Sequence, residues 1–359
     1  MSAFLGLKKP KLLSGQDGPV EIRVDCVYIP VIGELDVTLN TFKVKVDLDL
    51  SWKATQEDVL AYNADPAGYT PSFVPNLVFA NSFSVEYDEI IPLAGNICYQ
   101  MEEETSNPNN APEYRVKIRH RLIGTMSNHF EVQYFPFDVQ NLVLSITLSF
   151  FDRDQARFVI PSKKDFVYVP TKYTTVPGFD LLRVVAGEVH PENFTTLVVI
   201  VQARRNMQPY LFRILLPLFS INMSTFSVYA IEEIEGKTGV LLTAMLSFVG
   251  MIYILSTLIP MAGKGTLFDQ YAMASTLLCI IGLYLNSYQG KVALLIHAVI
   301  FAVGHVGFLF MGIIYHRSAN QLLQQGFEML AMRYQKFAPL TYQTIDLANN
   351  VDAEEWKVA

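Results

Sequence analysis

Charge is scarce in this chain. Of its 359 residues only 17% are Asp, Glu, Lys or Arg, while 51% are apolar; soluble proteins average about 25% charged. The shortfall excludes a solvated, disordered polymer and points part of the chain toward lipid. Basic excess is missing as well: the net charge is −7, so nucleic acid is excluded as a partner. Cysteine is rare. Cys26, Cys98 and Cys279 show no C-x-x-C pair and no metal-ligand spacing, which excludes a disulfide scaffold and a zinc site. At most one bridge, Cys26 to Cys98, is possible, and free buried thiols are the expectation. Catalytic signatures are absent too: there is no G-x-S-x-G, H-E-x-x-H or phosphate-binding loop. Neither an enzyme nor a resident cofactor is expected. The opening MSAFLGLKKPKLLS has too short an apolar run for a secretory signal.

What the chain does have is two kinds of pattern. Residues 1–206 alternate. VEIRVDCVYIPV, TFKVKVDLDLSW, YRVKIRHRLIG, VQNLVLSITLSF and FTTLVVIVQARR are runs of strand type, separated by NPNNAPE, VPGFD and HPEN. About ten such strands imply an all-β antiparallel sandwich or barrel. From residue 208 four apolar runs follow, at about 210–231, 238–259, 268–288 and 292–315. Each has about twenty residues or more, enough to cross roughly 30 Å of hydrocarbon as helix. The links EEIEGK, MAGKGT and YQGK are short, so the expectation for 207–316 is an all-α four-helix transmembrane bundle. A polar tail, 317–359, ends the chain. Its stretch NQLLQQGFEMLAMRYQKF (320–337) has the spacing of an amphipathic helix, which can lie on a membrane face. His297 and His305 fall in the fourth run; neutral imidazoles hydrogen-bonded within the bundle are expected before a functional pair.

One stretch is locally awkward. YFPFDVQ (134–140) sets Pro136 between Phe135 and Phe137 and follows with Asp138. Proline removes a backbone donor and belongs at a turn, yet its neighbours demand burial. Such a loop in a β-rich half, with four helices behind it, resembles the signature loop of the pentameric ligand-gated ion channels, the Cys-loop receptor superfamily. Other residues carry the resemblance over about residues 15–316. FVPNLVFAN (73–81) is similar to the family's Trp-x-Pro-Asp segment, with Phe73 for Trp and Asn76 for Asp. Trp52 stands where a strand tryptophan is expected. ARRN (203–206) resembles the basic pair before the first helix, and Pro217 falls where that helix carries proline. GKTGVLLTAMLSFVGMIYILSTLIP resembles the pore helix. The family's cysteines would flank the loop at Asn128 and Leu142, and both are absent, so the resemblance is to a member lacking the signature disulfide.

The resemblance implies a homopentamer in the cell membrane, multi-pass, with residues 1–206 outside the cell or in the periplasm as the ligand-binding domain. Its partners would be four further identical subunits, a small-molecule agonist of unknown identity, permeant cations and membrane lipid. It sets the signature loop on the ends of the membrane helices, with Asp138 paired to Arg205 or Arg204. Coupling residues would be Glu34 and Asp36 in a turn GELD (33–36), Phe135, Pro136, Phe137 and Asp138 with Arg205, and Lys264 in MAGKGT (261–266). Pro217 is a hinge or a tolerated kink.

The second apolar run can be read without the family. Gly239, Thr243, Leu246, Gly250, Tyr253 and Thr257 recur at alternating steps of 4 and 3, one face of a helix near 3.5 residues per turn. Val240, Leu241, Leu242, Ile252 and Leu255 fall behind it. Five copies around an axis would line a water path with this face; helix–helix packing also uses small residues. By the resemblance, Glu235 forms a cation-selecting ring of carboxylates. Leu246 is the apolar gate, Tyr253 a second constriction, and Lys237 points away from the axis.

The ligand site is less legible. The family holds an ammonium in an aromatic box, but here the corresponding positions carry Ala80 and Lys45. The aromatics left are Phe150 or Phe151, and Phe194 in the hairpin GEVHPENF (187–194). Arg115, Lys117, Arg119 and Arg121 alternate on one strand and share a face. Facing Glu188 and Glu192 of a neighbour they would hold an anionic ligand; otherwise they pair across strands with Glu102, Glu103 and Glu104. His190 and Glu192 are too few ligands for a metal. The reading that results is a ligand-gated or proton-gated cation channel. The alternative is a four-helix transporter with a β-sandwich sensor, which needs charged or broken helices at mid-membrane.

Overall fold

The computed structural model describes residues 18–104, 113–149, 154–160, 166–170, 176–189, 194–258, 265–285, 291–317 and 342–346. The alternating half forms strands β1 (Val20–Asp36), β2 (Thr41–Lys53), β3 (Leu77–Phe79), β4 (Ser82–Ile91), β5 (Gln100–Glu104) and β6 (Glu113–Ser127). β7 (Val139–Leu148), β8 (Ala156–Val159), β9 (Val167–Tyr168), β10 (Phe179–Val189) and β11 (Thr196–Arg205) follow. Two sheets face each other as a sandwich. The first runs β4-β6-β2-β1-β8, with β5 on β6 and β9 on β1. The second runs β10-β11-β7-β3 and gains a fifth strand, β12 (Tyr342–Asp346), from the tail. The pairing is antiparallel except where β1 meets β8 and β9.

Period-two alternation decides which residues enter the core. On β2, Val46, Leu48, Leu50 and Trp52 are buried inward; on β6, Val116, Ile118 and Leu122 face them; Leu142, Leu144, Ile146, Val199 and Val201 come from the second sheet. Each such side chain contributes about 1.5–3 kcal/mol of burial. Trp52 meets Phe73 edge-on at 5.7 Å. Pro30 sits at a register shift of β1, between Tyr28 and Val31, where a missing donor is tolerated.

Three details depart from the sequence reading. GELD is not a turn: β1 keeps pairing through Asp36, opposite Thr41, and the chain reverses over 37–40. There the Asp36 carboxylate accepts from Leu39 N–H and Asn40 takes a positive φ of 55°, chemistry that suits Asp and Asn. A short helix, α1 (Gln56–Ala64), appears where none was expected. The tail supplies a strand, whereas its expected amphipathic stretch lies outside the described residues.

The apolar half is helical. The first stretch is α2 (Gln208–Tyr210), a π-helical turn (Leu211–Leu215), α3 (Leu216–Ser224) and a 3₁₀ segment (Thr225–Ala230). Pro217 cannot donate to the turn before it, and the wide π turn sits immediately upstream, a common accommodation. Next come α4 (Ile234–Leu258), α5 (Leu267–Leu285) and α6 (Lys291–Arg317). Three stretches are long and apolar enough to cross a membrane: Gln208–Ala230, Ile234–Leu255 and Lys291–Ile314; Leu267–Gly282 is a shorter apolar helix. Of the four expected runs, three reach that length among the described residues, and the end of the third, 268–288, lies partly outside them. All four contribute to one apolar cluster that includes Leu218, Leu241, Phe248, Phe268 and Phe308. Cys279 on α5 reaches the Leu241 carbonyl at 3.7 Å, and a Cβ on Gly282 would stand 3.1 Å from the His297 ring of α6.

Candidate functional site

The α4 helix has two opposed faces. Lys237, Leu241, Ala244, Phe248 and Leu255 are buried against the helices around it. Gly239, Thr243, Leu246, Gly250 and Tyr253 lie on the opposite side and are exposed, Leu246 and Tyr253 each by 73%. At 100° per residue the two sets centre about 170° apart. Among the described residues, Gly239, Thr243, Leu246 and Gly250 thus lie outside the helix's own buried packing face. The face behind it is mixed: Leu241 and Leu255 are buried, whereas Leu242 and Ile252 are exposed. Thr243 closes its hydroxyl onto the Gly239 carbonyl at 2.8 Å, which satisfies it in a helix without a side-chain partner. Glu235 is exposed in the first turn. Thr257 lies on the helix, its side chain outside the described residues. Beside the stripe, a groove of about 400 Å³ runs between α3 and α4, lined by Ile221, Ser224, Gly236, Thr243 and Ser247 among others.

The junction of the two halves is built from the Phe-Pro-Phe-Asp loop. The Phe135–Pro136 bond is cis, and both phenylalanines are buried. Phe135 meets Tyr210 edge-on at 4.8 Å and Phe268 at 6.2 Å. Phe137 packs on Phe308 at 5.5 Å. The loop also caps a helix: Leu267 N–H, an orphan donor at the start of α5, reaches the Gln133 carbonyl at 2.7 Å. Thr266 and Asp269 close a capping box at the same helix start, with Asp269 N–H on Thr266 Oγ1 and Thr266 N–H on Asp269 Oδ2.

Behind the aromatics lies a buried ion pair. Arg205 Nε donates to Asp138 Oδ1 at 2.7 Å and Nη2 to Oδ2 at 3.0 Å. Gln140 donates to Asp138 Oδ2 at 2.6 Å, and Arg205 Nη1 reaches the Tyr210 hydroxyl at 3.4 Å. The guanidinium lies 4.5 Å from the Phe179 ring centre and 4.9 Å from that of Phe135. Burial alone would lower Arg205, but the Asp138 carboxylate outweighs it and the guanidinium ends above its ordinary value. Arg204 points elsewhere, toward Asp180 at 3.7 Å.

Of the remaining coupling residues only Asp36 has a described side chain. Asp36 caps its own turn; the Glu34 side chain and Lys264 lie outside the described residues. Tyr210, Phe268 and Phe308, which complete the junction, had no sequence signal beyond being aromatic.

The expected ligand residues that are described do not gather into one site. Arg115, Lys117, Arg119 and Arg121 do share the outer face of β6, but carboxylates and hydroxyls meet them. Arg119 holds Asp49 at 2.6 and 2.8 Å, and Arg121 holds Asp47 at 2.7 and 2.7 Å. Arg115 donates to Ser51 and lies 3.6 Å from Glu104, as Lys117 does from Glu102. Asp47 and Asp49 stand directly opposite Arg121 and Arg119 in the β2–β6 register, a pairing legible in hindsight from VDLDLS. Lys45 shares their strand face on the first sheet, whereas Ala80 follows β3 and donates to the Ser145 carbonyl, and Phe194 precedes β11, both beside the second sheet. Glu188 is half-buried on β10. Phe150, Phe151, His190 and Glu192 lie outside the described residues. No cluster able to hold a metal occurs among the described residues, and the cysteines are free. Burial, with Asp49 nearby, pushes the Cys26 thiol up to about 12, so it is an inert thiol.

The chain matches no protein-family model, and no curated protein aligns with it in sequence.

Proposed function

We propose that the chain is one subunit of a homopentameric, cation-selective channel of the pentameric ligand-gated type. Ligand or proton binding in the β half, 1–206, opens a pore through four membrane-crossing helices, 207–316. The observation that carries the reading is the α4 stripe. Gly239, Thr243, Leu246, Gly250 and Tyr253 face away from the helix's own packing surface, as a face turned to a shared water path would. α5 serves as the fourth span: its 19 residues rise about 28 Å, close to the hydrocarbon thickness. The Phe135–Pro136–Phe137–Asp138 loop, seated on the starts of the first helical stretch and α5 and on the end of α6, gives a mechanical path from sandwich to helices.

In this reading Glu235 gathers cations at the mouth farthest from the sandwich, Leu246 closes the path by dewetting, and Tyr253 narrows it nearer the sandwich. The neighbouring copies cover the groove between α3 and α4 and the exposed apolar residues beside the stripe. The test is electrical. Purified protein reconstituted in planar bilayers is to show unitary cation currents under an agonist and pH screen, and Glu235→Gln is to reduce their cation preference. Correctly assembled pentamers that pass no current under any stimulus, or a detergent-solubilised mass of one or two copies, would falsify it.

A further inference from the structure

The outward face of the second sheet has the wrong character for a solvated surface. On β11, Leu197, Val199, Val201 and Ala203 point into the sandwich core, so Thr196, Val198, Ile200 and Gln202 point out. Register places Val185 and Gly187 of β10 beside Ile200 and Val198 on that outer face, with Ser145 of β7 on the other side. An outer face of a sandwich is normally polar and wet. Here Val185, Val198 and Ile200 are apolar and 0% exposed. They belong to neither of the buried apolar clusters formed by the described residues. Something else of this chain covers them.

Position and length identify it. α6 ends at the junction, where Phe308 and Gly312 press on Phe137. β10 starts at the same level, since Phe179 pairs with Arg205 and stacks on its guanidinium. β12 begins at the far end of β10, with Tyr342 opposite Gly187, and runs back to place Asp346 opposite Arg183. Residues 318–341 link the end of α6 at the junction to the start of β12 at the far end of β10. From Phe179 to Gly187 β10 spans about 27 Å of extended chain. The stretch 320–337, as helix, rises about 27 Å. Its apolar residues Leu323, Phe327, Leu330, Tyr334 and Phe337 recur at steps of 4, 3, 4 and 3, one continuous stripe.

We infer that the outer face of the second sheet, centred on Val185, Val198 and Ile200, is the docking surface for residues 320–337 of the same chain. The apolar stripe lies on the sheet, and β12 fastens the segment's far end to β10. The tail so placed braces the β10–β11 hairpin from outside, through a contact that uses none of the junction or α4 residues.

Cysteine cross-linking in the full-length protein, with Cys26, Cys98 and Cys279 replaced, tests this. Ile200→Cys is combined in turn with Leu323→Cys, Phe327→Cys, Leu330→Cys, Tyr334→Cys and the off-stripe Glu328→Cys. The inference expects a disulfide within one chain from one or two neighbouring stripe positions and none from Glu328→Cys. Absence of any stripe bridge, or bridges only between two chains, overturns it. So does labelling of the stripe by a photoactivatable phospholipid, which would put 320–337 on the membrane instead. A second measurement avoids reliance on one geometry. Hydroxyl-radical footprinting of the Phe327→Ser, Leu330→Ser double variant is to raise labelling of Val198 and Ile200 several-fold while residues 134–140 stay protected. Unchanged labelling at Val198 and Ile200 counts against the inference.

Discussion

Asp138 and Arg205 bind each other through two parallel hydrogen bonds while both are buried, and they do so between β11 and the loop that touches the helices. The pair is not isolated: Gln140 satisfies the carboxylate and the rings of Phe179 and Phe135 flank the cation. A buried pair so surrounded does little for stability compared with apolar residues, but breaking it leaves an uncompensated charge. Asp138→Asn should therefore cost about 3–5 kcal/mol. Arg205→Lys should fail to restore the site, since an ammonium cannot make the fork or stack. The raised guanidinium contributes stability that is complete below its ordinary value and lost only as pH climbs through the raised one. Between pH 7 and 10, then, Arg205 adds no pH dependence to the melt. Thermal unfolding in detergent checks both points; an Asp138→Asn melt equal to the parent's would refute the account.

Gly312 lies on α6 where the Phe137 ring presses on the backbone. A Cβ there would stand 2.5 Å from Phe137 Cζ, closer than packed carbon atoms approach. Helix propensity favours alanine over glycine by about 1 kcal/mol, so Gly312→Ala ought to stabilise a free helix. Here the clash should win, at about 1–3 kcal/mol for overpacking. Phe137→Leu in the same chain should recover much of the loss. A double-mutant cycle on melting midpoints decides it, and strict additivity of the two changes would show that the contact is not the cause.

How much of this was legible beforehand varied with the range of the interaction. Alternation in TFKVKVDLDLSW and YRVKIRHRLIG fixes which residues enter the core, because strand geometry leaves no other choice. Hydropathy likewise announces the helices. The pairing of Asp138 with one of two adjacent arginines was visible as a choice, but only the β10–β11 register, which turns Arg204 outward to Asp180, selects Arg205. The basic ladder was legible in part: Arg115 and Lys117 do meet Glu104 and Glu102, the acids nearer in sequence, whereas Arg119 and Arg121 take Asp49 and Asp47 of β2 from some seventy residues away. β12 could not be read at all: YQTID is a strand only because β10 offers it an open edge.

The helix α1 makes a third prediction. Thr55 and Asp58 form a capping box: Asp58 N–H donates to Thr55 Oγ1, and Thr55 N–H to Asp58 Oδ2. Ser72 N–H also donates to Asp58 at 2.9 Å. Burial alone would raise Asp58, but these donors outweigh it and hold the carboxyl below the ordinary range. A depressed carboxyl contributes stability above its ordinary value that is lost as pH falls through the lowered one. Asp58→Asn should therefore lose stability at neutral pH and show a shallower acid-side decline than the parent. Thr55→Ala should cost about 1 kcal/mol. Melts from pH 7 down to pH 3 give the comparison; parallel curves for parent and Asp58→Asn would exclude the linkage.

The two faces of α4 make the last prediction, one that separates a water path from a packing face. Cysteines introduced singly at Thr243, Leu246 and Tyr253 should react with a small charged thiol reagent in the assembled, reconstituted protein, since their positions face away from the helix's own neighbours. Cysteines at Ala244 and Phe248, buried in the cluster with Leu218 and Phe268, should stay unreacted over the same time. If the exposed stripe were covered by a neighbouring helix, Leu246→Cys would be as inert as Phe248→Cys. If it faced lipid, a charged reagent would fail at all positions alike, because the reagent needs water to arrive and a thiolate to attack. Reaction restricted to the stripe is the pattern a pore requires, and mass spectrometry of the labelled protein reads it position by position.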